Sequence, residues 1–218
     1  IDPAKVEETL NDHSIKLVII CSPNNPTGNV MKTSVVELII KKFNGIVLID
    51  EAYSDFSGQK SFKGMTETCG NLIVMQTFSK AMGLAAARIG MAFMNPLLVS
   101  YFNKTKPPYN ISAINQRAAL KCLSRYELVR TRISLILKER ERLARALEKN
   151  TIIEKVFPSD ANFLLVRTAN ADRIYNELID SNIIVRNRNK IIRGCIRITV
   201  GTRRENDRLL KALRNISV

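Results

Sequence analysis

Three polar clusters in this 218-residue chain each follow a short apolar run. Ser22-Pro23-Asn24-Asn25-Pro26-Thr27-Gly28 follows Lys16–Cys21, Asp50-Glu51-Ala52-Tyr53 follows Ile46–Ile49, and Thr77-Phe78-Ser79-Lys80 follows Leu72–Gln76. Each alone has an ordinary explanation. Asn-Pro-Thr-Gly is made of the usual turn formers, Asp50 could cap a helix, Tyr53 could be a packed aromatic with a satisfied hydroxyl, and Lys80 could be a surface lysine. If the apolar runs are parallel strands, however, all three clusters meet at one edge, and ligands of open α/β sheets bind outside the carboxyl ends of the strands. An amide, a carboxylate, a phenol and an amine would then converge. An amine beside a buried carboxylate and a hydroxyl-rich anion site suits imine chemistry with a phosphorylated aldehyde.

The elements that must position these groups follow from pattern. Lys16–Cys21, Ile46–Ile49, Leu72–Gln76 and Arg88–Phe93 read as strands, the first three rich in Ile, Val and Leu with little alternation, which is how strands covered on both faces look. Thr33 or Ser34 can cap a helix to about Phe43, with Val36, Ile39, Ile40 and Phe43 on one face. Strand, helix, strand in this order predicts an α/β fold with a mainly parallel sheet. After Asn95-Pro96 a short helix runs to Asn103, and Lys106-Pro107-Pro108-Tyr109 reads as an extended linker. Ser112 to Lys149 is helical in pattern, with Ile133, Ile136, Leu137, Arg140, Leu143, Ala144 and Leu147 on one face. The last segment predicts strand 162–167, helix 171–180, strands 183–186 and 195–200, and helix 204–216, a small α+β unit. The expected division is a partial large domain at 1–105, a linker with long interdomain helices at 106–150, and a small domain at 151–218.

The order and spacing of Asn-Asn-Pro-Thr-Gly, Ile-Asp-Glu-Ala-Tyr, Thr-Phe-Ser-Lys-Ala-Met-Gly-Leu and Arg88-Ile89-Gly90 resemble the class I/II aminotransferases of pyridoxal-phosphate (PLP) fold type I. Within that group Lys106–Ile111, Ser159–Phe163 and Cys195–Thr202 are most similar to the histidinol-phosphate aminotransferases. The resemblance implies that Lys80 bonds the cofactor aldehyde as an imine and then carries the substrate α-proton. It implies that Asp50 pairs with the pyridine nitrogen, that Tyr53 and Asn25 bond the ring 3-oxygen, and that Thr77, Ser79 and Arg88 hold the cofactor phosphate. Arg197 matches the arginine that grips the substrate α-carboxylate, Arg186 the one for the substrate phosphate, and Asn162 a residue that orients Arg197. The implied substrates are histidinol phosphate and the glutamate/2-oxoglutarate pair, in histidine biosynthesis, with a homodimer as the working state. Threonine-phosphate decarboxylation is the neighbouring reaction in the same fold. Members of the group carry a substantial N-terminal portion ahead of the Asn-Pro-Thr-Gly strand, so the resemblance also predicts a truncated chain with weak activity alone or a catalytically silent one.

Composition bounds these readings. With 45% apolar and 25% charged residues the chain is globular rather than disordered. The net charge of +14 raises a polyanion partner, and ten cations between Arg186 and Arg214 face only Glu205 and Asp207. No aromatic residues alternate with them, so no nucleic-acid stacking platform is expected. One histidine, His13, excludes a multi-histidine metal site, and four widely spaced cysteines without a Cys-x-x-Cys pair give a zinc or iron–sulfur reading no support. No apolar run reaches membrane length and no basic stretch followed by an apolar run opens the sequence, so neither a membrane span nor a secretory signal is expected; the unpaired cysteines fit a reducing interior, and the cytoplasm is the expected compartment.

Overall fold

The structure, a computed structural model, describes residues 12–216 together with Val6 and Leu10. The chain divides into two compact units, Ile1–Asn24 with Val30–Val129, and Asn25–Asn29 with Arg130–Val218. The first carries β1 (Leu17–Cys21), α1 (Thr33–Lys42), β2 (Ile46–Asp50), β3 (Leu72–Thr77), β4 (Gly90–Met94), α2 (Pro96–Thr105) and α3 (Ala113–Leu123). Its sheet has the order β1-β2-β3-β4, with β1, β2 and β3 parallel. Helix α1 presents Val36, Ile39 and Ile40 to Val47, Ile49, Leu72 and Val74, the i, i+3, i+4 spacing of a single buried face. Burying each such side chain stabilises the fold by about 1.5–3 kcal/mol.

Several local expectations are corrected. Strand β4 runs antiparallel to β3, because the connection contains no crossover helix and reverses on itself through Phe78 N–H to Ile89 O and Leu84 N–H to Phe78 O. Neither Thr33 nor Ser34 caps α1; Lys32 occupies that position and the Thr33 hydroxyl accepts instead from the Gln59 side-chain amide. Two-faced burial holds for Leu72, Ile73 and Val74 but not for β1, an edge of the described sheet. There Val18 and Ile20 pack on the core while Leu17 and Ile19 stay 48% and 60% exposed. Helix α2 begins as expected, with Pro96 at its first turn and the Asn95 side chain accepting from Leu97 N–H.

The helical stretch beyond Ser112 is two helices, α3 and α4 (Tyr126–Leu147), separated where Arg125 N–H turns back to Cys122 O. No glycine or proline marks this break. The second unit then adds β5 (Ile153–Val156), β6 (Phe163–Thr168), α5 (Ala171–Asp180), β7 (Arg186–Asn187), β8 (Cys195–Thr199) and α6 (Arg203–Asn215). Its sheet is antiparallel in the order β5-β6-β8-β7, and its core joins Leu143 and Leu147 of α4 to Leu164, Val166, Ile174, Leu178, Ile196 and Leu213. Strand β5 was invisible in the sequence because two of its four residues are charged. The strand expected at 183–186 shrinks to Arg186–Asn187: Ile183 N–H returns to Leu178 O to end α5, with Asn182 at φ +55°. Helix α6 opens with a capping box between Thr202 and Glu205.

Candidate active site

In the first unit the ends of β2 and β3 lie side by side, with Cys21, Asp50 and Met75 in register across three strands. Beyond them the ladder continues for one step, through Ser22 N–H to Asp50 O and Glu51 N–H to Met75 O. This alignment sends the second and third polar clusters to a common edge. There a cavity of about 490 Å³ is lined by Asp50, Ala52, Thr77, Ser79, Lys80 and Arg88, with Met75 and Gln76 of β3 and residues 90–92 of β4 completing the lining. Asp50 caps no helix; its Oδ1 accepts the Ala52 N–H at 2.9 Å. The Lys80 ammonium lies 5.4 Å from the ring centre of Tyr53, which is buried. The Thr77 hydroxyl accepts Ser79 N–H at 3.0 Å and so shapes the turn that follows β3. Arg88 adopts the left-handed conformation, φ +53°, and its Nη1 donates to Ala85 O at 3.2 Å. Burial, with the charge of Asp50 behind it, pushes the neighbouring Cys21 thiol up, so it stays a neutral thiol beside the site.

The second unit gathers the other group. Arg197 on β8 stands opposite Leu165 on β6 and Arg186 on β7, so the two arginines share a sheet face. Like charges directly opposite one another repel, which favours an anion at that face. The Arg197 guanidinium sits 4.8 Å from the Phe163 ring centre, and its Nη1 donates to Asn25 Oδ1 at 2.6 Å. Asn25 reaches it from the Asn-Pro-Thr-Gly loop, which is held in this unit by Asp160 N–H to Gly28 O at 2.7 Å. The next strand boundary is set by Ser159, whose hydroxyl donates to Phe163 O and accepts Ala161 N–H. Asn162 contributes its backbone carbonyl, which accepts Val200 N–H at 2.9 Å.

The sequence-predicted residues therefore fall into two groups: Asp50, Tyr53, Thr77, Ser79, Lys80 and Arg88 in one unit, Asn25, Asn162, Arg186 and Arg197 in the other. The contribution of β4 to the cavity through Met91 and Ala92 was missed, although the Arg88-Ile89-Gly90 motif runs into that strand. Among the described residues no cluster of His, Cys, Asp or Glu could hold a metal ion, and no helix is long and apolar enough to cross a membrane.

The description "Aminotransferase class I and II" belongs to the family model that matches residues 1–213. Histidinol-phosphate aminotransferase of Cytophaga hutchinsonii is 47% identical over 201 residues, which cover 91% of this chain and 58% of that protein. The chain thus spans about three fifths of such a relative's length. Among solved structures, histidinol-phosphate aminotransferase from Clostridium acetobutylicum superposes with a TM-score of 0.90 at 26% identity, covering 98% of this chain and 67% of that one. The Sinorhizobium meliloti enzyme, solved in complex with pyridoxal-5'-phosphate, gives 0.88 at 26% identity, covering 98% and 60%. The α/β architecture described above is accordingly that of fold type I. With a match that runs through both residue groups, the chain belongs to the class I and II aminotransferases.

Proposed function

We propose that this chain supplies the PLP-binding and substrate-gripping groups of an aminotransferase that acts on histidinol phosphate, with glutamate and 2-oxoglutarate as the other pair. The observation that carries the proposal is the shared cavity of Asp50 and Lys80, with Tyr53 against the lysine. The donor set fits the cofactor: a carboxylate for the ring nitrogen, two hydroxyls and a guanidinium for a phosphate, and an amine for an aldehyde. When bound, PLP supplies an electron sink for the carbanion at the substrate α-carbon.

The chain's own residues do the rest. Asp50 keeps the ring nitrogen protonated, which sustains that sink. Thr77, Ser79 and Arg88 hold the phosphate, with Arg88 giving a charge-assisted bond. Tyr53 donates its phenol to the ring 3-oxygen. Asn25 Oδ1 is occupied by Arg197, so its amide nitrogen is the group assigned to that oxygen. Lys80 takes the α-proton as general base and returns it as general acid. Arg197 presents a planar fork to the substrate α-carboxylate, and its stacking on Phe163 and its bond to Asn25 reduce the freedom lost on binding. Arg186, on the same face, takes the substrate phosphate, and Asn162 lies at the strand start that orients Arg197. A homodimer in the cytoplasm is the working state we assign.

Titration of the chain with PLP tests this reading. A visible absorbance band should form with the parent chain and be lost in Lys80→Ala. A band that survives that substitution, or none with the parent, refutes it. A panel of amino donors with and without a phosphate group then reads substrate class, and release of carbon dioxide instead of keto acid would indicate the decarboxylase chemistry.

A further inference from the structure

Glu51 is only 3% exposed, and the proposed chemistry does not use it. Alternation along β2 sends it away from the cavity. Val47 and Ile49 pack in the core with Phe62 and Val74, so residue 51 turns back to that side while Asp50 faces the ligand. Three donors meet its carboxylate there. Phe62 N–H reaches Oε1 at 2.7 Å, the Ser61 hydroxyl reaches Oε2 at 2.6 Å, and the Gln76 side-chain amide reaches Oε2 at 2.8 Å. Gln76 Nε2 also lies 3.3 Å from the Ser61 hydroxyl oxygen. Backbone pairing between β2 and β3 closes with Glu51 N–H on Met75 O. Past that point the Glu51–Gln76 bond links the two strand ends from below.

Glu51 directly follows Asp50, and Gln76 directly precedes Thr77. A bond between the inner pair therefore fixes the spacing of the outer pair, which projects to the opposite face and into the cavity. We propose that Glu51 is a positioning residue: a buried carboxylate brace that holds Asp50 and Thr77 at the separation their ligand requires. Its consequence for cofactor binding rests on the aminotransferase reading; the brace itself does not. An amide at position 51 is a poor substitute, because all three partners donate and an NH₂ group would face at least one of them.

Two readouts on the full chain test this. In Glu51→Gln, amide hydrogen exchange should speed up at residues 51–53 and 76–79 while α5 and α6 keep their protection. The PLP dissociation constant should rise roughly tenfold, as expected for a broken charge-assisted buried bond. The swap Glu51→Gln with Gln76→Glu re-forms a carboxylate–amide pair and should restore both readouts. Ser61→Ala removes one donor, together with the hydroxyl that accepts Lys63 N–H at 3.2 Å, and should give a smaller loss in the same direction. Unchanged exchange at these residues overturns the brace. So does a lower melting temperature with an unchanged PLP dissociation constant, which would mark Glu51 as a core residue only, and so does a swap that restores neither readout. A parent chain with no PLP band sinks the aminotransferase reading, and the exchange arm still decides the brace.

Discussion

Replacing Gly28 by alanine puts a methyl group where the Asn-Pro-Thr-Gly loop and Ser159 already touch. The backbone there is at φ +81°, in the left-handed region, where an added side chain costs about 1–2 kcal/mol. The new Cβ would also lie 2.4 Å from the Ser159 hydroxyl oxygen, 2.9 Å from its Cβ and 3.3 Å from its Cα. Ser159 has to move, and its bonds to Phe163 O at 2.6 Å and from Ala161 N–H at 3.1 Å move with it. Losing one of them costs about 1 kcal/mol, so the substitution should destabilise by about 2–3 kcal/mol. Urea unfolding monitored by circular dichroism measures this as a lower midpoint at constant slope. Ser159→Gly alone should cost about 2 kcal/mol by losing both bonds. Because the clash and the lost bonds are the same event, Gly28→Ala/Ser159→Gly should cost well below the sum of the two. A Gly28→Ala loss under about 0.5 kcal/mol, or strictly additive costs, would refute this account. The effect also reaches the site, since Asn25 holds Arg197 from the same loop.

Two further outcomes are expected. Burial holds the Asp55 carboxyl above the usual carboxylate range, with Glu51's charge adding to the effect while Lys63 and a bond from Tyr126 oppose it. The folded state therefore binds this proton more tightly than the unfolded chain, and the contribution to stability falls as pH rises from the ordinary carboxylate range through the raised folded value. Asp55→Asn should raise the melting temperature above that window and flatten its pH dependence; thermal melts from acid to neutral pH that are steeper in the variant would contradict this. Leu143→Ala empties a fully buried site between α4 and the second sheet and should cost about 2–5 kcal/mol by chemical denaturation, with a loss below about 1 kcal/mol arguing that the core there is loose.

Much of this molecule was written locally. The runs ending at Cys21, Asp50 and Thr77, the single buried face of α1, Pro96 after Asn95 and the box of Thr202 and Glu205 are set by neighbours a few residues apart, where strand and helix periods and capping chemistry act. From those runs alone it follows that Asp50 and Lys80 face one cavity, because parallel strands place their carboxyl ends at one edge. Only the tertiary structure decided the direction of β4, the break between α3 and α4, and the loss of a strand at residues 183–185 to the end of α5. The same is true of Arg186 facing Arg197, and of Asn25 holding Arg197 across 172 positions of sequence. Glu51 shows why. Its neighbours in the chain say only that it ends a strand, whereas its three donors come from Ser61, Phe62 and Gln76. A hydrogen bond between distant residues leaves no period in the sequence; it exists only once packing has excluded water and brought donor and acceptor together.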